Sequence, residues 1–238
     1  MTKKIHYTGN KMIAGVYHKI INNIPEHTHY YEVFAGSGAI GLHLFDIVPK
    51  PVNYVFMDID PEVRKYYREQ VSNFQANKSG IYFYPVDYKR FLAVLPDKAR
   101  AKDLFYFIDP PYLLSTRSGI VKYNFELTDE DHIDLLSLAK QLPGNVMIIH
   151  PECELYNNSL SSWRKIKLTI RYHRKTSNEC LYMNYPYPEK LQTYKYLGSD
   201  CWDRQRIKRQ SERIIQKFDN LHPTVRNNVL QLIKAKYF

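Results

Sequence analysis

Between Tyr30 and Phe45 the chain passes from one backbone geometry to another across a run of glycines. Tyr30-Tyr31-Glu32-Val33-Phe34 is aromatic and β-branched, the composition of a strand. It runs into Gly36-Ser37-Gly38-Ala39-Ile40-Gly41, where glycines permit a tight turn and close backbone approach, and Leu42 to Phe45 continue as a helix. A strand, a glycine turn and a helix N-terminus in this order belong to an α/β fold with a parallel sheet. The rest of the chain repeats the theme.

Tyr54-Val55-Phe56-Met57 predicts a second strand that ends in Asp58-Ile59-Asp60, with Pro61 suited to the first turn of a helix. Ile81 to Val86 predicts a third, ending at Asp87-Tyr88. Phe105-Tyr106-Phe107-Ile108 is apolar throughout, as a strand buried on both faces must be, and it ends in Asp109-Pro110-Pro111-Tyr112. Leu113 to Phe125 is weakly patterned and reads as a mobile loop. Thr128 caps a helix through Ile133, Leu136 and Leu138, ended by Pro143-Gly144, and Val146 to Ile149 predicts a fifth buried strand. Alternation from Lys165 to Tyr172, a polar turn over 173–178 and Cys180 to Met183 predict a hairpin. These strands predict a seven-stranded, mostly parallel, doubly wound sheet.

Beyond Pro186 and Pro188 the composition shifts. Ile207, Ile214, Ile215 and Phe218 form one face of a basic helix, His222-Pro223 breaks it, and Val225, Val229, Leu230 and Ile233 form a second. The expected division is a catalytic domain over 1–189 and a basic helical appendage over 190–238. A chain of 238 residues suits one such domain with an addition.

Carboxylates at the carboxyl ends of parallel strands lie where open α/β sheets bind ligands. Asp58, about twenty residues past the glycine turn, is placed to grip ribose hydroxyls. The glycine string also fits a nicotinamide-dinucleotide site, so by itself it leaves the cofactor open. Asp109-Pro110-Pro111-Tyr112 decides between them. Two consecutive prolines make a stiff, extended segment without N–H donors, which holds together a carboxylate, carbonyl acceptors and an aromatic ring. An exocyclic amine on a planar base needs two acceptors for its N–H groups and a ring to stack on. Chemistry at a cytosine ring carbon would need a nucleophilic cysteine, and Cys153, Cys180 and Cys201 have no motif context for that role.

The chain resembles the Dam-type adenine-specific DNA methyltransferases of bacteria and phages. Tyr7-Thr8-Gly9-Asn10-Lys11 is similar to the family's N-terminal motif, Glu32 through Phe34, Ala35, Gly36, Ser37 and Gly38 to its cofactor loop, and Met57-Asp58-Ile59 to its ribose-binding acid. Val86-Asp87-Tyr88 is similar to its adenine-pocket acid, Asp109 to Tyr112 to its catalytic tetrapeptide, and Glu179 to Tyr185 to its closing strand. The resemblance implies S-adenosylmethionine as cofactor, bound by Tyr7, Lys11, Glu32, the glycine loop, Asp58, Ile59, Asp87, Tyr88 and Asp109. It places Lys11 near the cofactor's methionine end. Catalysis falls to Asp109, Pro110 and Tyr112, acting on an adenine taken out of the duplex.

Only residues 61–80 separate the second strand from the third, too few for the family's specificity domain. Recognition is therefore expected from the loop (Arg117, Lys122), the hairpin turn (Arg174, Lys175), the tail (Arg204, Lys208, Arg209) or a partner protein. The net charge is +10, and residues 203–238 carry nine Lys/Arg against Asp203, Glu212 and Asp219. Double-stranded DNA is the expected partner. RNA is the alternative acceptor, and a non-catalytic nucleic-acid-binding module on a methyltransferase fold is the other reading. The N-terminus lacks an apolar h-region and no apolar run reaches the ~20 residues of a membrane span, so a cytoplasmic protein is expected. The scattered cysteines and histidines suggest neither disulfides nor a metal site.

Overall fold

A computed structural model describes residues 11–13, 15–74, 80–93, 98–117, 123–172 and 175–237. They divide into two compact units, residues 1–195 and 196–238. The boundary falls later than 189 because 190–192 pair with 24–26: Glu26 N–H donates to the Lys190 carbonyl and Gln192 N–H to that of Ile24.

The first unit is built on seven strands: β1 (His29–Val33), β2 (Asn53–Met57), β3 (Ile81–Tyr84), β4 (Leu104–Ile108), β5 (Asn145–Pro151), β6 (Arg164–Tyr172) and β7 (Lys175–Met183). Their order in the sheet is β3-β2-β1-β4-β5-β7-β6. Strands β1 to β5 pair in parallel, while β7 runs antiparallel to both β5 and β6. Every residue of β4 is buried, as expected for a central strand covered on both faces. Its neighbours interlock through aromatic rings: Tyr31 of β1 stacks on Tyr106 of β4 at 4.8 Å, and Tyr30 lies 5.7 Å from Phe105.

The hairpin differs from expectation in length. Residues 175–178, expected in the turn, are the start of β7 and pair with 169–172. Pairing satisfies backbone groups that a long turn would leave to solvent.

Local sequence explains the helices that frame the site. In α2 (Ala39–Ile47) Ile40, Leu44 and Phe45 turn inward. In α3 (Pro61–Phe74) Asp60 Oδ1 accepts the Glu62 N–H. The helix expected from Thr128 is α5 (Asp129–Gln141), started by a reciprocal cap: the Thr128 hydroxyl accepts the Asp131 N–H at 3.1 Å and the Asp131 carboxylate accepts the Thr128 N–H at 3.0 Å. Its buried face is His132, Leu135, Leu136 and Ala139, so Ile133 is exposed rather than in the core.

The second unit holds α7 (Cys201–Asp219) and α8 (Pro223–Tyr237). Asp200 caps α7, Pro223 opens α8, and Arg226 closes the turn by donating to the Asp219 carbonyl at 2.6 Å. No helix among the described residues is long and apolar enough to cross a membrane.

Candidate active site

Strands β1 and β4 are neighbours, yet the chain leaves them in opposite directions across the sheet, β1 toward β2 and β4 toward β5. A crevice opens at their carboxyl ends, the position where doubly wound sheets bind ligands. Val33 pairs with Ile108, so Phe34 and Asp109 leave the sheet side by side. A cavity of about 430 Å³ lies there, within the ~300–1,000 Å³ usual for small-molecule sites.

The glycine turn forms one wall. Phe34 takes φ +60°, a left-handed conformation rare for a side-chain-bearing residue, and Gly36 and Gly38 follow at +49° and +60°. A Cβ on Gly38 would stand 1.9 Å from the Tyr67 hydroxyl, and one on Gly41 would stand 2.6 Å from Glu32 Oε2 and from the Phe56 ring. The glycines thus let the turn and α2 lie flush against the sheet. Phe34, Ala35, Gly36 and Ser37 face the cavity, while Gly38 sits behind them as the N-cap of α2.

Asp58, Ile59, Asp87 and Tyr88 line the cavity from the ends of β2 and β3. Asp58 is buried, accepting N–H groups from Gly36 at 2.8 Å and Asp60 at 2.9 Å, so it ties the glycine turn to β2. Burial raises its pKa, with those two N–H groups pulling the other way. Glu32 is also buried, accepting the Tyr30 hydroxyl and the Gly41 N–H at 2.9 Å each. Burial nevertheless pushes it up to about 8. Tyr88 packs on Phe34 at 5.1 Å and donates its hydroxyl to the Asp131 carbonyl.

The opposite wall carries Asp109 and Pro111, with Pro110 buried between them. Lys11 crosses the cavity floor to Asp109 Oδ2 at 2.8 Å, and its side chain is only 3 % exposed. Burial would lower the Lys11 pKa, but Asp109 and Glu179 hold it above the ordinary lysine value, so it stays charged. Burial pushes Asp109 up to about 6, against the pull of Lys11. Lys11 also lies 5.1 Å from the centre of the Tyr112 ring. Asp109 Oδ1 carries no hydrogen bond among the described residues.

Several residues that complete this wall are poorly marked in the sequence. His150 on β5 accepts the Leu113 N–H at Nε2 (3.2 Å), so Nδ1 carries the proton and donates it to the Pro151 carbonyl at 2.8 Å. Its ring stacks on Tyr156 at 3.8 Å and meets Tyr112 edge-on at 5.3 Å. Glu179 is buried beside the Tyr112 hydroxyl; burial first, and then the charges of Asp109 and Glu179, raise the pKa of that hydroxyl. Glu179 lies in the closing-strand motif, which signalled a strand and gave no hint of its place behind the tetrapeptide. Asn124 lines the cavity where the loop after β4 returns, and donates its amide to Asp60 Oδ2 at 2.9 Å.

The expected nucleic-acid contacts fare unevenly. Arg117 is turned inward: it holds both Glu126 oxygens, at 2.8 and 2.6 Å, and the Tyr112 carbonyl, and its side chain is 10 % exposed. It clamps the loop, so its guanidinium does not present itself to phosphate. Arg204 stands only about 60° around the helix from the apolar Ile207, three residues on, and is half-buried. Lys208 lies 3.8 Å from Glu212, and Arg209 is exposed. Lys175 opens β7. Tyr7, Lys122 and Arg174 lie outside the described residues.

Residues 7–84 match the family of D12 class N6 adenine-specific DNA methyltransferases. No curated protein matches the chain. Among solved structures it is similar to TrmK of M. capricolum, determined with the cofactor product S-adenosyl-homocysteine, at 10% identity over 94% of this chain and 95% of that one, with a TM-score of 0.51. A conserved hypothetical protein of Streptococcus pyogenes is similar at 16% identity over 75% and 99% of the two chains, with a TM-score of 0.49. A SAM-dependent methyltransferase of Aquifex aeolicus is similar at 14% identity over 71% and 89%, with a TM-score of 0.46. The family match supports an S-adenosylmethionine-dependent methyltransferase, and the likeness to TrmK is one of fold. The match over 7–84 supports the Dam-type family read from the motifs, and with it S-adenosylmethionine as the cofactor.

Proposed function

We propose that the chain methylates the exocyclic amine of adenine in DNA. The observation that carries this reading is the end of β4: a carboxylate held by a buried lysine, one oxygen without a hydrogen bond among the described residues, beside the glycine turn and next to an aromatic ring. The glycine turn that lines the cavity at Ala35, Gly36 and Ser37, the buried Asp58 and the cavity's size fit the cofactor. Asp58 and Ile59 would hold its ribose, Asp87 and Tyr88 its adenine ring, and Lys11 and Glu32 would lie toward its methionine end. When bound, S-adenosylmethionine supplies an electrophilic methyl group on a sulfonium.

The chain's own residues supply the rest. An aromatic amine donates its lone pair into the ring, which makes it a poor nucleophile. Asp109 Oδ1 and the Pro110 carbonyl, each accepting one N–H, turn the lone pair out of the ring and offset the positive charge that develops on nitrogen. Lys11, fixed on Oδ2, keeps the carboxylate in one orientation. Tyr112 stacks on the extruded base, an interaction worth about 1–3 kcal/mol.

Asp109→Ala separates binding from chemistry. The variant should retain S-adenosylmethionine affinity by calorimetry within a few-fold and lose methyl transfer by about 100-fold or more, since the interaction removed is strongest in the transition state. Substantial turnover by the variant would reject the assignment.

A further inference from the structure

On α7, Trp202, Arg206, Arg209 and Arg213 recur at intervals of four, three and four residues. At about 100° per residue they fall within about 60° of one another, along about 16 Å of one helix face. With Gln205 and Gln210 they line a shallow groove. Ile207, Ile214 and Phe218 lie on the other side of the helix. Arg206 is held by Asp203 at 2.7 Å, whereas Arg209 and Arg213 have no ion pair or hydrogen bond among the described residues. Trp202, at the head of the row, is 77 % exposed.

This combination is unfavourable without an occupant. An indole in water forgoes the burial that usually stabilises it, and neighbouring guanidiniums repel one another. A ligand that relieves both has a flat π-face and a row of negative charges. Paired bases within a duplex keep their faces stacked on each other, so an indole reaches a base face only where the strand is unpaired. We propose that this face of α7 binds single-stranded nucleic acid, with Trp202 stacked on an unpaired base and Arg209 and Arg213 against phosphates. It deepens the proposed function by adding a second contact with the acceptor, and rests on that reading for the class of partner. It also moves the expected phosphate contacts from Arg204 and Lys208 to the opposite side of the helix.

The chain has two tryptophans, Trp163 and Trp202, so Trp163→Phe in the full-length protein leaves Trp202 as the sole reporter. Titration with a mixed-sequence single-stranded DNA should quench its emission saturably, and a blunt duplex of the same sequence should quench it less. In anisotropy of an end-labelled strand, which needs no change at Trp163, Trp202→Ala should weaken binding about 5- to 150-fold while Trp202→Phe retains most of it. Replacing Arg209 and Arg213 by Gln should flatten the salt dependence by about 1.4 units, about 0.7 for each phosphate on a single strand. Unchanged emission, or equal binding by wild type and Trp202→Ala, overturns the proposal. So does a mass increase in sedimentation that Trp202→Ala abolishes, which makes this face a contact between copies of the chain. Methyl transfer measured on the same preparations keeps the two readings apart: transfer without quenching removes only this face, and quenching without transfer removes only the proposed reaction.

Discussion

Asp109 is required to be an anion if it is to accept an amine N–H, and its pKa of about 6 places that requirement within reach of experiment. The two buried histidines behind the tetrapeptide do not compete for the assignment. Burial holds His132 down at about 4 and His150 at about 3, so both are neutral through the range in which Asp109 titrates. The single-turnover methylation rate should therefore fall about tenfold per pH unit below about 6 and be flat above it up to neutrality. A rate unchanged down to pH 5 would show that the carboxylate is not the acceptor. Linkage runs the other way for folding: a carboxyl whose folded pKa is raised contributes stability below its unfolded value, lost as pH rises through about 6. The same sign applies to Glu32, whose window extends to about 8.

At the scale of elements, the site depends on two close approaches. The first is α2 against the sheet. Alanine favours a helix over glycine by about 1 kcal/mol, but a Cβ at Gly41 would meet Glu32, Phe56 and Tyr30 at 2.6 to 2.7 Å, and overpacking of this kind costs about 1–3 kcal/mol. Gly41→Ala should lower the urea midpoint and weaken cofactor binding; a midpoint above wild type would mean that the helix moves freely. The second is β5 behind the tetrapeptide. His150→Phe preserves a ring to stack on Tyr156 and removes the acceptor for the Leu113 N–H, leaving a buried donor unpaired at a cost of about 1–3 kcal/mol. It should destabilise the fold by that amount and raise KM for nucleic acid more than it lowers kcat; unchanged values of all three would show that the tether does not position Tyr112. The elements themselves were largely legible, because strands buried on both faces must be apolar throughout and glycine turns and caps punctuate them. The short helices α4 (Tyr88–Ala93) and α6 (Glu154–Ser159) were not, since six residues hold too few turns for periodicity to show. Carboxylates at strand ends announced themselves through local order. A tether made across the fold, such as His150 to Leu113, joins residues whose neighbours in sequence give no sign of the pairing, and the inward turn of Arg117 to Glu126 and Tyr112 within its own loop is equally unmarked.

At the scale of the whole molecule, the strand order brings together residues far apart in the chain, Lys11, Asp58 and Asp109 among them, in one cavity at the reversal point of the sheet. Between β2 and β3 the described residues hold only α3, so on the proposed reaction any choice of target sequence falls to other segments. In the proposed function this cavity directs a methyl group to an adenine amine. Incubation of the full chain with methyl-labelled S-adenosylmethionine and mixed-sequence duplex DNA, followed by digestion to nucleosides, reads the position of the label directly. Label should appear in N6-methyldeoxyadenosine, and none there with Asp109→Ala. Label in a cytosine nucleoside, label only when RNA replaces the DNA, or no labelled nucleoside from a protein that binds the cofactor would overturn the proposed function.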